Sequence, residues 1–317
     1  MNQTPNFELF YDVLDESLLA LYEIKHDRFF NLLLRTGRNI VAGEVLDKEA
    51  TPEQKDNLVK IYEKLDGIDF NVEEIRKAFQ MMILRGFKEE NMKNGEVTPD
   101  TLGIFIGYLI NKLAPNSKKL SILDPVVGTG NLLYSVANHL ECELKLYGVD
   151  NIYEVLELAT ILGDLLNYDI EMFNQDTLTN PFSQMDFVIA DLPDYHATDY
   201  DNKYFPYLCV IEHLASLKDD GYMICLAPNN FFDHDKDNFF KDHLKASGSS
   251  VLGVLELPNN MFKANPKSII IFSKKALESK NCLLVSLPSF SSASELNKAL
   301  IKIEDWFLQQ EINKEKK

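Results

Sequence analysis

No two of the four cysteines form a CxxC pair, which leaves neither a disulfide framework nor a zinc-ligand pattern. Cys142, Cys209, Cys225 and Cys282 read as reduced core residues. No stretch approaches the ~18 consecutive apolar residues of a membrane-spanning helix, and Met1 to Glu8 lacks the basic-then-apolar order of a secretory signal. A cytoplasmic protein without a membrane partner is expected. Positive charge is also scarce. Only 32 basic residues stand against 49 acidic ones, and the formal charge of −17 repels polyanions at long range, which counts against non-specific nucleic-acid binding. Internal repeats and low-complexity segments are missing too. What is present is a 317-residue chain with 45% hydrophobic content, enough to bury one large core and a smaller second one. Two domains are expected, over 1–95 and 96–317.

The first of these reads as all-α. Phe10, Val13, Leu14, Leu18, Leu21 and Tyr22 recur at three- and four-residue steps, and helical periodicity continues to about Phe87. Thr51-Pro52-Glu53-Gln54 predicts a capping box, Asn71 with Glu73 and Glu74 predicts another, and Arg85-Gly86 predicts the end of that helix. Lys88 to Val97 reads as a linker. Beyond Thr98, short β-rich runs near 120–124, 144–149, 169–173, 185–190, 222–227, 251–256 and 268–273 alternate with helical patterns. The fold class expected is α/β, a doubly wound, mostly parallel seven-stranded sheet behind the helical domain. No helical pattern separates the last two strands, which need not be parallel. Leu283 to Leu287 is a candidate for one more strand, Ser294 to Ile312 a closing helix, and Lys314 to Lys317 a frayed tail.

Ligands of open α/β sheets bind at the carboxyl ends of the strands. Asp124-Pro125-Val126-Val127-Gly128-Thr129-Gly130-Asn131 lies at such an end, between the strand Leu120–Leu123 and the next helix, and Gly128 and Gly130 lack the Cβ atoms that would hold a ligand off the backbone. A bare GxG at that position is as often a simple tight turn. Asp150 ends the next strand about 20 positions on, where a carboxylate accepts hydrogen bonds from both ribose hydroxyls of an adenosine-containing cofactor.

With three further segments, this loop resembles the class I S-adenosylmethionine-dependent methyltransferases, and within them the N6-adenine DNA methylase branch that includes modification subunits of type I restriction systems. Val97-Thr98-Pro99-Asp100 looks like that family's Thr-Pro segment at the methionine end of the cofactor. Asp124 stands where the cofactor's amino group is met, with Pro125, Gly128, Thr129, Gly130 and Asn131 completing the loop. Asp150, Asn151 and Ile152 resemble the ribose-binding strand end with an apolar wall for the adenine. Asp176, Thr177 and Leu178 resemble the loop that reads the adenine amino group. Leu257-Pro258, Met261-Phe262 and Ser268 to Phe272 look like the late strand pair of type I modification subunits. The resemblance implies S-adenosyl-L-methionine as cofactor.

It also implies a methyl transfer to the N6 amine of adenine in DNA, a partner the acidic charge disfavours. The lone pair of such an amine is delocalised into the ring, so acceptors must draw on its N–H bonds while an aromatic ring stacks on the extruded base. The family supplies these from Asn or Asp, Pro-Pro and an aromatic; here the segment is Asp191-Leu192-Pro193-Asp194. Asp191, counted with the cofactor residues as well, keeps the acceptor, and Pro193 keeps Leu192 extended so that its carbonyl is presented. Asp194 replaces the ring. Tyr195, or Tyr200 or Tyr204, is the candidate substitute, the alternative being that these tyrosines only pack or cap the loop. Two other functions stay open: transfer to an RNA base or a protein amide, and non-catalytic cofactor binding, with the helical domain as a protein-interaction surface. Asp233 to Asp237 reads as a solvated helix start, and no metal is assigned. Lys263, Lys267, Lys274 and Lys275 read as surface lysines protecting a strand edge, with a basic substrate face as the alternative.

Overall fold

The structure, a computed structural model, describes residues 5–91, 97–179, 182–262, 265–275 and 282–315. Half of the expected linker (residues 92–96), Lys263, and Lys316 and Lys317 of the tail lie outside the described residues. Five helices come first: α1 (Pro5–Ile24), α2 (Phe29–Ala42), α3 (Pro52–Tyr62), α4 (Val72–Glu89) and α5 (Asp100–Leu113). Both capping boxes form. Thr51 and Gln54 exchange side-chain-to-backbone hydrogen bonds, and Asn71 accepts from the Glu73 amide while Glu74 accepts from the Asn71 amide. Gly86 does not end its helix, contrary to the sequence expectation. α4 continues to Glu89, and Gly86 serves packing, since a Cβ there would lie 2.5 Å from a ring carbon of Phe30.

The second unit runs β1 (Lys119–Asp124), α6 (Asn131–Ala137), β2 (Glu143–Asp150), α7 (Tyr153–Leu165), β3 (Asp169–Asn174) and β4 (Met185–Asp191). A small antiparallel hairpin follows, β5 (His196–Ala197) and β6 (Lys203–Tyr204). Then come α8 (Phe205–Ser216), β7 (Leu217–Pro228), α9 (Phe239–Ser247), β8 (Ser250–Glu256), β9 (Lys267–Ser273), β10 (Leu283–Ser286) and α10 (Ala293–Glu315). One sheet holds eight strands in the order β10-β8-β9-β7-β4-β1-β2-β3. The eighth is β10, from the apolar run at Leu283, paired parallel to β8.

Only β9 runs against its neighbours β7 and β8 among these strands. Residues 257–266 are too few for the crossover of about a dozen or more residues that a parallel return needs. Lying between β8 and β7, β9 is an interior strand, buried along its whole length. That corrects the edge-protection reading for Lys267, which is buried, and for Lys274, whose Nζ donates to the Leu214 carbonyl at 2.6 Å, while Lys275 is exposed as expected.

The helical unit and the sheet share one apolar core, which runs from Phe10 and Leu33 to Leu158 and Ile189. Gly37 of α2 lies so close to α7 that a Cβ would sit 2.3 Å from Ile161 Cγ2, and the ion pairs Arg28–Glu154 and Arg38–Glu157 cross the same seam. Among the described residues no helix is long and apolar enough to cross a membrane.

Candidate cofactor and acceptor site

The chain builds β1, β2 and β3 in one direction across the sheet and then returns to place β4 on the other side of β1. Connections diverge there, and the strand ends border a crevice. A cavity of about 420 Å³ occupies it, lined by Thr98, Asp124, Gly128, Asp191 and Lys267 among others, a size typical of small-molecule sites.

The loop after β1 adopts backbone that only glycine takes without strain. Gly128 has φ +52° and Gly130 φ +80°. A Cβ on Gly130 would lie 2.4 Å from the Tyr134 ring, so this glycine lets the loop close onto α6. A Cβ on Gly128 would meet nothing within 4 Å, so its bare face is open to a ligand. The Gly128 amide donates to Asp150 Oδ2 at 3.1 Å, and Asp150 Oδ1 accepts from the Ile152 amide at 2.8 Å. Each oxygen of Asp150 keeps acceptor capacity. Asn151 and Ile152 lie exposed beside it.

Asp124 is buried and accepts from the Val126 amide at 3.1 Å. Burial, reinforced by the charges of Asp191 and Asp150 and opposed by that amide, pushes its carboxyl up to about 8. Below that value it carries a proton, and a ligand ammonium group beside it would favour the ionised form. The same shift governs stability. The folded value lies above the unfolded one of 3.8, so the contribution is full below about pH 4 and is lost as pH rises through 8. Thermal unfolding of the ligand-free protein is expected to fall across that window, and Asp124→Asn should flatten the decline. Equal slopes for the two proteins would rule this out.

The acceptor position differs from expectation. Asp191, at the end of β4, has both oxygens engaged: Thr98 Oγ1 donates to Oδ2 at 2.6 Å and Lys267 Nζ to Oδ1 at 2.6 Å. The two charged side chains are only 9% and 14% exposed, so this is a nearly buried ion pair, with the Phe262 ring 5.1 Å from the ammonium. Leu192 is fully buried, its amide bonded to the Leu226 carbonyl, while Pro193 and Asp194 line the cavity. Asp194 accepts from the Tyr204 hydroxyl at 3.0 Å.

No candidate tyrosine takes the place of the missing ring. Tyr195 stacks on Phe205 with centroids 4.6 Å apart, Tyr204 stacks on His234 at 3.9 Å, and Tyr200 donates to Asp176 at 2.7 Å. None of the three lines the cavity. Asp176 lies beside Asp150, since the Gln175 amide donates to the Asp150 carbonyl. Thr177 does not face a ligand. Its hydroxyl is buried against His213 Nε2 at 2.7 Å, and burial lowers that imidazole to about 4, so it stays neutral. Leu178 packs against a second apolar cluster that includes Val188, Tyr207 and Ile270, and Pro125 is buried beneath the loop. Pro99 caps α5, and Thr129 lines the cavity.

Asn131, expected at the cofactor, lines the cavity but is braced from behind by Arg76, which sequence reasoning missed along with Phe87; Lys267 it named only within a group of lysines. A signal for Arg76 existed: it is a cation in the apolar stripe that Ile83 and Phe87 continue along α4.

Residues 77–315 match the sequence model of the family described as N-6 DNA Methylase. The chain belongs to the N-6 DNA methylase family. Residues 8–87 match a second model, the YtxK N-terminal helical domain. YtxK of Bacillus subtilis, itself an uncharacterized protein, is 30% identical over 95% of this chain and 97% of its own length. A structure from Listeria monocytogenes, assigned to the class I S-adenosylmethionine-dependent methyltransferases, is 30% identical with a TM-score of 0.84 over 95% of this chain and 98% of that one. The fold extends to a chain from Vibrio vulnificus assigned as a modification subunit of a type I restriction enzyme, at 15% identity and a TM-score of 0.58 over 83% of this chain and 65% of that one. The resemblance read from the motifs therefore holds. In this N-6 DNA methylase family member Thr98, Asp124, Gly128, Thr129 and Asn131 line one cavity with Asp191, Asp194 and Lys267, while Thr177 and Leu178 turn into the core.

Proposed function

We propose that this family member binds S-adenosyl-L-methionine at the glycine loop and holds its methyl-acceptor position closed, so that adenine in DNA is not accepted in this state. The observation that carries the reading is the occupation of both Asp191 oxygens by groups of the protein itself. The residues fit the cofactor: Gly128 offers open backbone, Asp124 a buried carboxyl for the amino group, and Asp150 acceptors for the ribose hydroxyls. When bound, the cofactor supplies a methyl group activated on a sulfonium. The chain's residues hold and orient it.

An exocyclic amine must find an acceptor at Asp191 and a ring to stack on. Here it would have to share a nearly buried carboxylate with the Lys267 ammonium and the Thr98 hydroxyl, and it would meet Asp194 where the ring belongs. A net charge of −17 adds repulsion against a duplex. A second reading is favoured by one fact: Asp191 and Pro193 line the same cavity as Gly128. On that reading Lys267 withdraws when a substrate arrives, and the protein is a methyltransferase on a nucleic-acid base or a protein amide.

Calorimetry with S-adenosyl-L-methionine is expected to detect binding, and transfer of labelled methyl groups by the wild type to leave DNA unlabelled. Absence of binding would refute the cofactor assignment. Labelling of a DNA, RNA or protein fraction that disappears in Asp191→Ala would replace the closed-site reading with the second.

A further inference from the structure

We infer that Arg76 is a positioning residue through which the N-terminal helical unit sets the geometry of the cavity. The inference rests on the proposed function only in taking that cavity as the cofactor site. Arg76 lies on α4, wholly buried, does not itself line the cavity and donates a hydrogen bond to Asn131, which does. Its Nε and Nη2 donate to the two Glu73 oxygens at 2.7 and 2.8 Å, and Nη1 donates to Asp100 Oδ1 at 3.1 Å and to Asn131 Oδ1 at 2.5 Å. Burial alone would raise the Glu73 carboxyl, but the guanidinium and the Asn138 amide outweigh it and hold it at about 2. Asn138 Nδ2 also donates to Glu73, so one cluster grips α4, α5 and α6 together.

Compensating a buried guanidinium requires carboxylates, and Glu73 and Asp100 supply them. The bond to Asn131 does something more. Arginine only donates, so it fixes which end of the Asn131 amide turns toward it. The oxygen faces Arg76, and the Nδ2 donates to the Thr98 carbonyl at 2.7 Å. Thr98 in turn places its hydroxyl on Asp191. A continuous line of hydrogen bonds thus runs from the helical unit, past the first residue of α6, to the carboxylate that Lys267 occupies. Phe87, three turns further along α4, lines the cavity directly. The helical unit is part of the site.

The test compares Arg76→Met, Asn131→Leu and the double variant. Asn131→Leu leaves Arg76 its two carboxylates, so it breaks the line without unpairing the buried charge. In the ligand-free protein, amide hydrogen exchange at residues 98–102 is expected to quicken by about 10-fold in both single variants, roughly the loss of one hydrogen bond, and no further in the double. Amides of β7 and β9 should keep their rates. The Kd for S-adenosyl-L-methionine should rise by a similar factor, again without addition in the double. Unchanged exchange at 98–102, equal acceleration throughout the protein, or additive effects in the double would each overturn the inference. If Arg76→Met does not fold, Arg76→Lys, which keeps the buried charge but gives up the fork of donors shared between the carboxylates and Asn131, decides in its place by the same exchange pattern. A wild type that fails to bind the cofactor overturns the proposed function instead, because the exchange measurement needs no ligand.

Discussion

Asp150→Ala is expected to weaken S-adenosyl-L-methionine binding by about 100-fold or more. Hydrogen bonds to a charged group contribute about 1.5–3 kcal/mol each, and a ribose diol makes two, so roughly 3–6 kcal/mol is at stake. The carboxylate also has a second task, which the variant removes. By accepting from the Gly128 and Ile152 amides it ties the glycine loop to the end of β2, and with it the open face of Gly128. Burial raises the carboxyl of Asp150 above its ordinary value, which marks a group already carrying a desolvation cost before any ligand arrives. Asp150→Asn, which keeps the shape and one acceptor, should fall between the two. Calorimetric titration reads the effect, and an alanine variant within about threefold of the wild type would remove Asp150 from the site.

Lys267→Met should produce the largest loss of stability. It leaves the Asp191 carboxylate nearly buried with the Thr98 hydroxyl as its remaining partner in the pair described. Breaking a buried pair from one side costs about 3–5 kcal/mol, and at about 2–4 °C per kcal/mol for large domains the midpoint of thermal unfolding should drop by roughly 10 °C. Replacing both partners, as in Lys267→Met with Asp191→Leu, should recover most of that loss, because no unpaired charge remains. A single variant that melts with the wild type would mean that water, and not Lys267, balances Asp191. The pair would then be too weak to close the acceptor position, and the proposed closed state would lose its basis.

The glycine loop and the two strand-end carboxylates were legible because their features are local. Positive φ at Gly128 and Gly130 is written into two adjacent turns, and Asp124 and Asp150 follow from the ends of strands whose apolar patterns are plain. The capping boxes at Thr51 and Asn71 are local too. Gly86 misled for the converse reason: a glycine after an arginine reads as a stop, but its purpose is to admit the rings of Phe29 and Phe30 from another helix. Thr177 misled likewise, since its partner His213 comes from α8.

By itself the sequence determined the fold class, the cofactor loop and the fact that something had changed at Asp194. Only the tertiary structure decided what stands on Asp191. Lys267 comes 76 positions later in the chain and Arg76 55 positions before Asn131. Neither contact can be read from spacing, because each depends on sheet order and helix packing. The antiparallel return of β9 turns an apparent edge lysine into a buried one. The ion pair that follows is costly to break from one side, because the surrounding core keeps water from whichever charge is left.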